Sequence, residues 1–307
     1  MSHTFDDFNA DGQIDFYMTG MGSTTARRLQ ALGIEPPGKE NLTKMRMPMG
    51  YGNRMYLRQG DRFVEPAFKD QVARTGWSWG STSADFDNDG DPDLYVANGH
   101  ISGKTTRDYC TRFWCHYIYT NPSLPKFGLD QLFLKELGPT QRLEASWNGY
   151  EHNALLLNRD HQEFSNVGFL AGCGFEFDSR AVVSADLDND GRMDLLVSRQ
   201  ISDGRSDRHE LHVLVNTLEP SGKARNWISL RVEPPTPGTR VLLCESGESL
   251  RGAQIVNGDS FCAQHPVQIH FGLGTKQAIR HLEVIWPDGT RKKIENPRAN
   301  EGHLIRR

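Results

Sequence analysis

Three stretches of the chain repeat one pattern of oxygen-bearing side chains, D-x-[DN]-x-D-G-x-x-D. They are residues 7–15 (DFNADGQID), 85–93 (DFDNDGDPD) and 186–194 (DLDNDGRMD). Side chains at positions 1, 3, 5 and 9 offer oxygen ligands, and glycine at position 6 permits the sharp turn that wraps the chain around an ion. The crowded carboxylates repel one another unless a hard cation such as Ca²⁺ binds among them. The pattern therefore predicts a calcium site in each loop, about three in all.

The predicted ligands follow from the loop positions. Position 7 is expected to add its backbone carbonyl whatever its side chain, while Asn88 at position 4 is expected to face solvent. An acidic turn that binds no ion is the alternative interpretation, and it concerns 7–15 most, because Asn9 stands there in place of an aspartate. The side-chain ligands predicted are Asp7, Asn9, Asp11, Asp15, Asp85, Asp87, Asp89, Asp93, Asp186, Asp188, Asp190 and Asp194, and the carbonyl ligands are those of Gln13, Asp91 and Arg192.

The loops differ from an EF-hand, which begins with the same residues. An EF-hand needs a bidentate glutamate at position 12 and a helix on each side. Here position 12 is Met18, Val96 or Val197, and Pro92 inside the middle loop argues against a helix that starts there. Short apolar runs with aromatic and β-branched residues follow the loops, which is typical of strands. Each ion is therefore expected in a turn that leads into a strand.

A second repeated element follows the loops along the chain. Residues 53–63 and 153–164, and more weakly 209–220, show a strand, a polar turn and a further strand-like stretch. A recurring unit of loop, strand, connection, strand, turn and strand is typical of a propeller or a solenoid. Over about residues 5–217 the chain resembles the FG-GAP/VCBS repeats of the integrin α-chain head and of many secreted bacterial proteins. The resemblance implies that the acidic loops bind Ca²⁺ at the rim of a blade.

The pattern changes after about residue 222. Alternating stretches separated by Gly, Pro and Asp turns predict a small antiparallel β domain at 223–307. This part resembles the ASPIC/UnbV domain, which follows FG-GAP/VCBS repeats in the cartilage acidic protein family and in bacterial relatives. The resemblance rests on Asn226, Trp227, Gly258, HFGLG at 270–274 and WPDG at 286–289.

Together these patterns predict an all-β protein, with part of an integrin-α-like β-propeller at 1–222 and the small antiparallel β domain at 223–307. A family propeller has about seven blades, whereas the chain shows three loop-bearing units, the first beginning close to Met1. We therefore expect either further blades outside this sequence or a propeller completed by neighbouring chains. Open blade edges would allow self-association, because an unpaired strand is a template for pairing.

A long insert rich in aromatic residues interrupts the middle unit at about 99–152. Long loops in compact domains are usually functional or disordered, and the aromatic content argues against disorder. One interpretation is a packed rim loop, closed by a Cys110–Cys115 disulfide, that forms a partner surface. The other is an enzyme whose imidazoles converge on Zn, Cu or Fe. The candidate ligands of that second metal are His100, His116 and His152.

The sequence indicates no other catalytic arrangement. It contains no G-x-S-x-G, no H-E-x-x-H and no glycine-rich phosphate loop. Cys244 and Cys262 lie on strand-like segments and could face each other in a disulfide, with free cysteines as the alternative. His270 in HFGLG is expected to be a buried structural histidine.

The overall composition bears on which partners and which location the protein is expected to have. A hydrophobic content of 37% and a net charge of -4 fit a globular protein and give no reason to expect nucleic acid or an anionic membrane as a partner. No apolar stretch approaches the roughly 20 residues of a membrane span, and no signal-peptide pattern is visible. The favoured function is an extracellular or periplasmic calcium-binding module for binding or adhesion to a protein or glycan ligand. The alternatives are a metal-dependent enzyme or accessory protein of secondary metabolism and a subunit of a multi-chain assembly.

Overall fold

Short, mostly antiparallel strands make up most of the regular structure, which confirms the predicted all-β class. A computed structural model describes residues 1–35, 40–119, 127–136, 144–202, 206–218, 225–245 and 250–307. The described residues contain twenty strands and five helices. The predicted domain boundary near residue 222 lies outside the described residues, and so do parts of the insert at 120–126 and 137–143.

The first sheet is a four-stranded antiparallel blade whose strands follow one another in chain order. The first acidic loop joins its first two strands, two helices lie between its second and third strands, and a third helix follows it. The strands are β1 (His3–Asp6), β2 (Asp15–Met18), β3 (Arg54–Gln59) and β4 (Arg62–Val64), and the helices are α1 (Thr24–Ala31), α2 (Glu40–Met49) and α3 (Lys69–Ala73).

The second and third blades repeat this plan, the third with three strands in the described residues. In both, the acidic loop again joins the first two strands. The second blade contains β5 (Ser78–Ala84), β6 (Asp93–Asn98), β9 (Ala154–Arg159) and β10 (Glu163–Asn166), and its insert contains β7 (Thr105–Asp108), α4 (Tyr109–Tyr119), α5 (Phe127–Glu136) and β8 (Ala145–Ser146). The third blade contains β11 (Ser179–Ala185), β12 (Asp194–Ser202) and β13 (Asp207–Leu214).

Side-chain alternation along the second strand of each blade explains how the blades stack. Leu94 and Val96, at positions 10 and 12 counted from the start of the loop, pack in one core with the first blade. Tyr95 at position 11 packs in another core, with Leu195 and Val197 of the third blade. Because successive side chains point to opposite faces of a sheet, one strand supplies both interfaces. The stacking brings the acidic loops of neighbouring blades together at one end.

The insert is helical where the sequence predicted a loop. α4 presents Cys110, Trp114 and Ile118 to Ala26 and Leu29 of α1 in a small separate core. Residues four apart share one face of a helix, so burial of this face against α1 favours a helix. The insert is therefore packed, as the interpretation of a packed rim loop predicted. Its packing partner is helix α1 of the first blade. No helix in the described ranges is long and apolar enough to cross a bilayer.

All five cysteines are free thiols in the structure. Cys110 and Cys115 lie five residues apart on α4, a spacing that puts them on different helix faces, and Cys110 Sγ lies 3.4 Å from Ser23 Oγ. Cys244 is buried on its strand, whereas Cys262 is exposed. Neither disulfide suggested by the sequence is formed, and the free-thiol alternative describes the structure.

The C-terminal domain consists of a three-stranded and a four-stranded sheet that share one core, with Trp286 among its buried side chains. One strand pair of this domain departs from the predicted antiparallel pattern. The last strand (Gly302–Arg306) pairs in parallel with the free edge of the domain's first strand (Asn226–Glu233). The strands are β14 (Asn226–Glu233), β15 (Arg240–Glu245), β16 (Leu250–Gln254), β17 (Gln268–Gly274), β18 (Ile279–Ile285), β19 (Arg291–Glu295) and β20 (Gly302–Arg306).

Candidate metal centre

Carboxylates gather in two of the three acidic loops. In the middle loop Asp85, Asp87 and Asp89 each place one carboxylate oxygen within 4.8 Å of the others, and the third loop has a second such group. Oxygens that surround one Ca²⁺ at about 2.3–2.6 Å are at most about 5 Å apart, so both groups have the dimensions of a calcium shell. The members of the second group are Asp186, Asp188 and Asp194.

The backbone of each loop is wrapped around the carboxylate at position 1. Oδ1 of Asp85 accepts a hydrogen bond from the Asp89 N–H (3.0 Å), and Oδ2 accepts one from the Gly90 N–H (2.7 Å). Asp186 in the third loop and Asp7 in the first accept the corresponding pairs. This shared pattern closes the backbone of each loop around the side chain at position 1.

Two positions of each loop require a left-handed backbone. The φ angle is 55° at Asn88 and 62° at Asn189, both at position 4, and it is 110° at Gly90 and 85° at Gly191, both at position 6. Asparagine and glycine adopt such angles more readily than other residues. The N-D-G triplet shared by the middle and third loops is therefore the local sequence signal for this turn.

The aspartate at position 9 closes each loop onto its blade. Asp93 is fully buried, and its two oxygens accept hydrogen bonds from the N–H groups of Phe86 (2.9 Å) and Asn158 (2.8 Å). Asp15 and Asp194 accept the corresponding pairs. Among the described residues, Asp194 also belongs to a ligand group, whereas Asp93 and Asp15 do not. The structure thus gives position 9, predicted as a ligand, a role in holding the backbone.

Two asparagines that the sequence analysis missed link consecutive blades. Asn158 Nδ2 lies within hydrogen-bonding distance of the carbonyl of Phe8 in the first loop (3.1 Å) and that of Pro92 in its own blade (3.2 Å). Asn216 bonds to the second and third loops in the same way. Asn158 lies near the end of β9 and Asn216 just after β13, in LLLNRD and VLVNTL. Their common spacing was the signal that could have identified them.

The first loop keeps the backbone of the other two but uses its carboxylates differently. Asp7 Oδ2 accepts a hydrogen bond from the Gly252 N–H of the C-terminal domain (2.7 Å). The Asp11 carboxylate accepts hydrogen bonds from two side-chain amides, Asn9 Nδ2 (3.1 Å) and Gln13 Nε2 (3.2 Å). Asn9 supplies a hydrogen-bond donor where the other loops have a carboxylate, so the Asp11 carboxylate is hydrogen-bonded within its own loop. The structure supports two sites, and the third site stays a prediction.

The carbonyl ligands predicted at position 7 also stay predictions, but their side chains have defined positions. Asp91 lies 3.1 Å from His161 Nε2. Arg192 forms an ion pair with Asp190 and donates a hydrogen bond to the Asn216 carbonyl (2.8 Å). Asp190, predicted as a ligand at position 5, therefore faces this guanidinium and is not a member of the third loop's group.

Burial, together with repulsion between neighbouring carboxylates, raises the pKa of several loop aspartates. The pKa of Asp85 lies well above its ordinary value, first because of burial and then because of the charges on Asp89 and Asp87. Burial raises the pKa of Asp87 to about 6 and the pKa of Asp7 and of Asp15 to about 7. A raised carboxyl pKa means that negative charge at that place lacks compensation. A bound cation supplies the missing positive charge.

The donor set of both groups fits Ca²⁺. Each group consists of carboxylates, and no imidazole or thiol belongs to either group in the described part of the chain. Hard oxygen ligands suit Ca²⁺, Mg²⁺ and Mn²⁺, whereas imidazole and thiolate suit Zn²⁺ and copper. A bound Ca²⁺ would be held by Asp85, Asp87 and Asp89 in the middle loop and by Asp186, Asp188 and Asp194 in the third.

The C-terminal domain lies directly on the middle loop, which the sequence did not predict. Asn88, expected to face solvent, is buried: its Nδ2 donates to the Gly191 carbonyl (2.8 Å) and its Oδ1 lies 2.8 Å from His270 Nε2. Its backbone carbonyl accepts a hydrogen bond from the Gly274 N–H (2.9 Å). The prediction for Asn88 was wrong because its surroundings come from another blade and another domain. His270 is a contact residue between the domains.

Two residues of the C-terminal domain allow this close approach. A Cβ atom at Gly272 would lie 2.0 Å from Asp85 Oδ2, so a side chain cannot be accommodated without movement. Arg251 is buried and donates hydrogen bonds to the carbonyls of Gly90 and Gly272 (2.6 Å each) and to Glu245 Oε1 (2.7 Å). The central glycine of HFGLG thus serves contact with the acidic loop.

The three insert histidines form no metal group in the described residues. His100 stacks on Trp77 with ring centroids 4.7 Å apart, and burial lowers its pKa to about 4. His152 lies 3.2 Å from Glu176, and His116 lies on α4. Neither of the two metal-competent groups found in those residues contains an imidazole, so the prediction of a transition metal gains no support.

Comparison with protein families identifies both parts of the chain. The FG-GAP-like repeat family matches residues 7–96, and the ASPIC and UnbV family matches residues 231–307. None of the curated proteins compared with the chain matches it. The first match spans two acidic loops, and the second spans most of the domain that lies on them. The chain therefore carries an FG-GAP-like repeat region followed by an ASPIC and UnbV domain.

Proposed function

We propose that the protein binds two Ca²⁺ ions in its middle and third acidic loops and works as a calcium-stabilised binding module outside the cytoplasm. The observation that carries the proposal is the convergence of three carboxylates within 4.8 Å in each of these loops. Burial raises the pKa of Asp85 and of Asp186, which indicates uncompensated negative charge at these two positions. The FG-GAP-like match over 7–96 is a second, independent support.

Calcium acts in this proposal by holding the loops that carry the C-terminal domain. The unfolded chain lacks the cage, so the ion binds the folded state preferentially and stabilises it by mass action. At an ion concentration about 100 times the dissociation constant, each site contributes about 2.7 kcal/mol. For a chain of this size each kcal/mol raises the melting temperature by roughly 2–4 °C. Two occupied sites therefore raise it by about 10 °C or more.

Thermal unfolding in CaCl₂ and in EDTA tests the proposal, together with calorimetric titration to count sites. We expect two ions per chain and a melting temperature about 10 °C lower in EDTA. The double variant Asp87→Asn/Asp188→Asn should lose both the binding heat and the EDTA effect. Asp61→Asn, a substitution at an exposed turn residue outside the loops, is the control. Equal melting temperatures in CaCl₂ and EDTA, with no binding heat, would refute calcium binding.

The binding role rests on the family assignment, which favours an integrin-like module for a protein or glycan ligand. The test measures binding of the protein to a glycan array and to immobilised extracellular matrix proteins. Both assays are run in CaCl₂ and in EDTA. We expect retention that EDTA abolishes, because the loops and the domain above them lose their order without the ion. Retention of no ligand in CaCl₂ would argue against an adhesion function while leaving calcium binding intact.

Self-association is part of the same proposal. In the third blade Leu211 and Val213 on β13 are 66% and 53% exposed, an apolar surface of the kind that pairs or packs with another sheet. We expect dimers or larger species by light scattering at micromolar concentration. The variant Leu211→Lys/Val213→Lys should be monomeric. A monomeric wild-type chain at every concentration would contradict self-association.

A further inference from the structure

A guanidinium group lies on the ligand carboxylates of the middle loop. Arg225 Nη1 is 2.8 Å from Asp87 Oδ1 and 3.5 Å from Asp89 Oδ2. Arg225 immediately precedes β14, the first strand of the C-terminal domain. The residue at the entrance to that domain is therefore ion-paired with two of the three carboxylates that would hold Ca²⁺.

This ion pair and a calcium ion in the middle loop involve the same two carboxylates, those of Asp87 and Asp89. Around Ca²⁺ the carboxylate oxygens lie about 2.3–2.6 Å from the ion, and a guanidinium still hydrogen-bonded to Asp87 would then stand only a few ångströms from a divalent charge. Two positive charges at such a distance repel each other strongly where burial limits screening. Arg225 and Asp87 are about one-quarter exposed, so water screens the pair only in part.

The structure provides space into which the arginine can move. A cavity of about 220 Å³ lies between the middle and third loops, and its lining includes Asp87, Asp190, Arg192, Arg225 and Trp227. A guanidinium that leaves Asp87 therefore has an adjacent opening and does not need to displace the packed core. In the third loop the nearby guanidinium is that of Arg192, at loop position 7, and it pairs with Asp190 outside the ligand group.

We propose that Arg225 is an internal cation that competes with Ca²⁺ for the carboxylates of the middle loop and is released when the ion binds. The proposal rests on calcium binding as the proposed function. Linkage between two binding events is reciprocal. The ion pair between Arg225 and Asp87 therefore weakens calcium binding, and bound calcium weakens this ion pair at the entrance to the C-terminal domain. The middle loop should consequently bind Ca²⁺ more weakly than the third, because no guanidinium within the described ranges is ion-paired with the third loop's ligand group.

Calorimetric titration of CaCl₂ into Arg225→Gln tests the competition. We use the Asp188→Asn background, which disables the third loop, and low ionic strength, where charge effects are largest. Removal of the competing charge should tighten binding at the middle loop about threefold to tenfold. Arg225→Lys, which keeps the positive charge, should stay within about a factor of two of the parent. Arg54→Gln breaks a remote ion pair of the same 2.8 Å length, with Glu65, and should not change the affinity.

Chemical labelling of the unsubstituted protein provides an independent measurement. Phenylglyoxal modification followed by mass spectrometry should show a severalfold faster reaction at Arg225 in CaCl₂ than in EDTA. The rate at Arg54 should be the same in both, because its ion pair lies away from the acidic loops.

The outcomes separate the two proposals. If neither the parent nor Arg225→Gln binds Ca²⁺, the proposed function fails and the competition fails with it. If the parent binds but Arg225→Gln binds equally or more weakly, and labelling of Arg225 does not increase, calcium binding stands and the competition is refuted. If Arg225→Gln does not fold, the labelling rates decide alone.

Discussion

The middle and third acidic loops share six of nine residues, yet the molecule surrounds them differently. Both wrap the position 1 carboxylate with the same two N–H groups and gather three carboxylates. The middle loop lies beneath the C-terminal domain and is contacted by Arg251, His270 and Gly274. In the third loop the side chains of Asp188 and Asn189 are exposed. Local sequence therefore sets the turn, and the neighbouring domain sets its burial and charge.

The largest expected difference between the loops follows from replacing the aspartate at position 1. Asp85→Asn removes a ligand and leaves one of two buried N–H groups without a charged acceptor. We expect a loss of about 2–4 kcal/mol in unfolding free energy in CaCl₂. Asp186→Asn, in the more exposed loop, should lose about 1–2 kcal/mol. Urea denaturation of both variants measures the difference, and equal losses would show that the C-terminal domain does not add to the burial of the middle loop.

The close approach of the C-terminal domain to the middle loop predicts the next effect. Gly272→Ala places a Cβ atom 2.0 Å from Asp85 Oδ2, and relief of that contact should cost about 1–3 kcal/mol. Gly128→Ala is the control, because a Cβ there meets nothing within 4 Å. Differential scanning calorimetry measures both variants. A melting temperature of Gly272→Ala equal to that of the unsubstituted protein would mean that the domain is not seated on the loop.

A matched pair of asparagine substitutions isolates the contacts of position 4. Asn88 and Asn189 have nearly the same left-handed φ, so replacement by alanine carries the same backbone cost in both loops. Asn88→Ala also loses the bonds to the Gly191 carbonyl and to His270. We expect it to cost about 1 kcal/mol more than Asn189→Ala. Parallel urea titrations give this difference directly, and a difference near zero would place Asn88 outside the interface.

The pH dependence of the calcium-free protein should be the smallest of these effects and opposite in sign to that of the calcium form. Unfolded aspartates release their protons near pH 3.8, whereas burial keeps protons on Asp87 up to about pH 6 and on Asp7 and Asp15 up to about pH 7. Between these values the folded state binds more protons, so its stability falls as the pH rises.

Melting curves in EDTA should therefore lie a few degrees lower at pH 8 than at pH 5, and in CaCl₂ the order should reverse because the ion binds deprotonated ligands. Asp85→Asn should reduce the pH dependence of stability in EDTA more than Asp186→Asn. At Asp85 the charges of Asp89 and Asp87 raise the pKa most strongly after burial, whereas at Asp186 the charge of Asp190 is the smallest of the causes. A melting temperature in EDTA that rises from pH 5 to pH 8 would contradict the assignment.

Much of the architecture could be predicted because its signals are local. The strands after the loops are confirmed at Asp15–Met18, Asp93–Asn98 and Asp194–Ser202, since alternation of apolar residues identifies a strand without knowledge of its partners. The helices of the insert were missed because aromatic richness dominated its composition. Their apolar spacing gains meaning only when α1 is known to face Cys110 and Trp114.

The acidic loops also combine features that local sequence sets with features that tertiary contacts set. The sequence by itself determined that 85–93 and 186–194 turn sharply, gather carboxylates and lead into strands, because D-x-D-N-D-G restricts the backbone through left-handed positions and short-range hydrogen bonds. Only the tertiary structure decided that Asp7 binds Gly252, that Asn88 is buried and that Arg225 lies on Asp87. Those contacts join residues more than 100 positions apart, and packing between domains, which no local pattern records, brings them together.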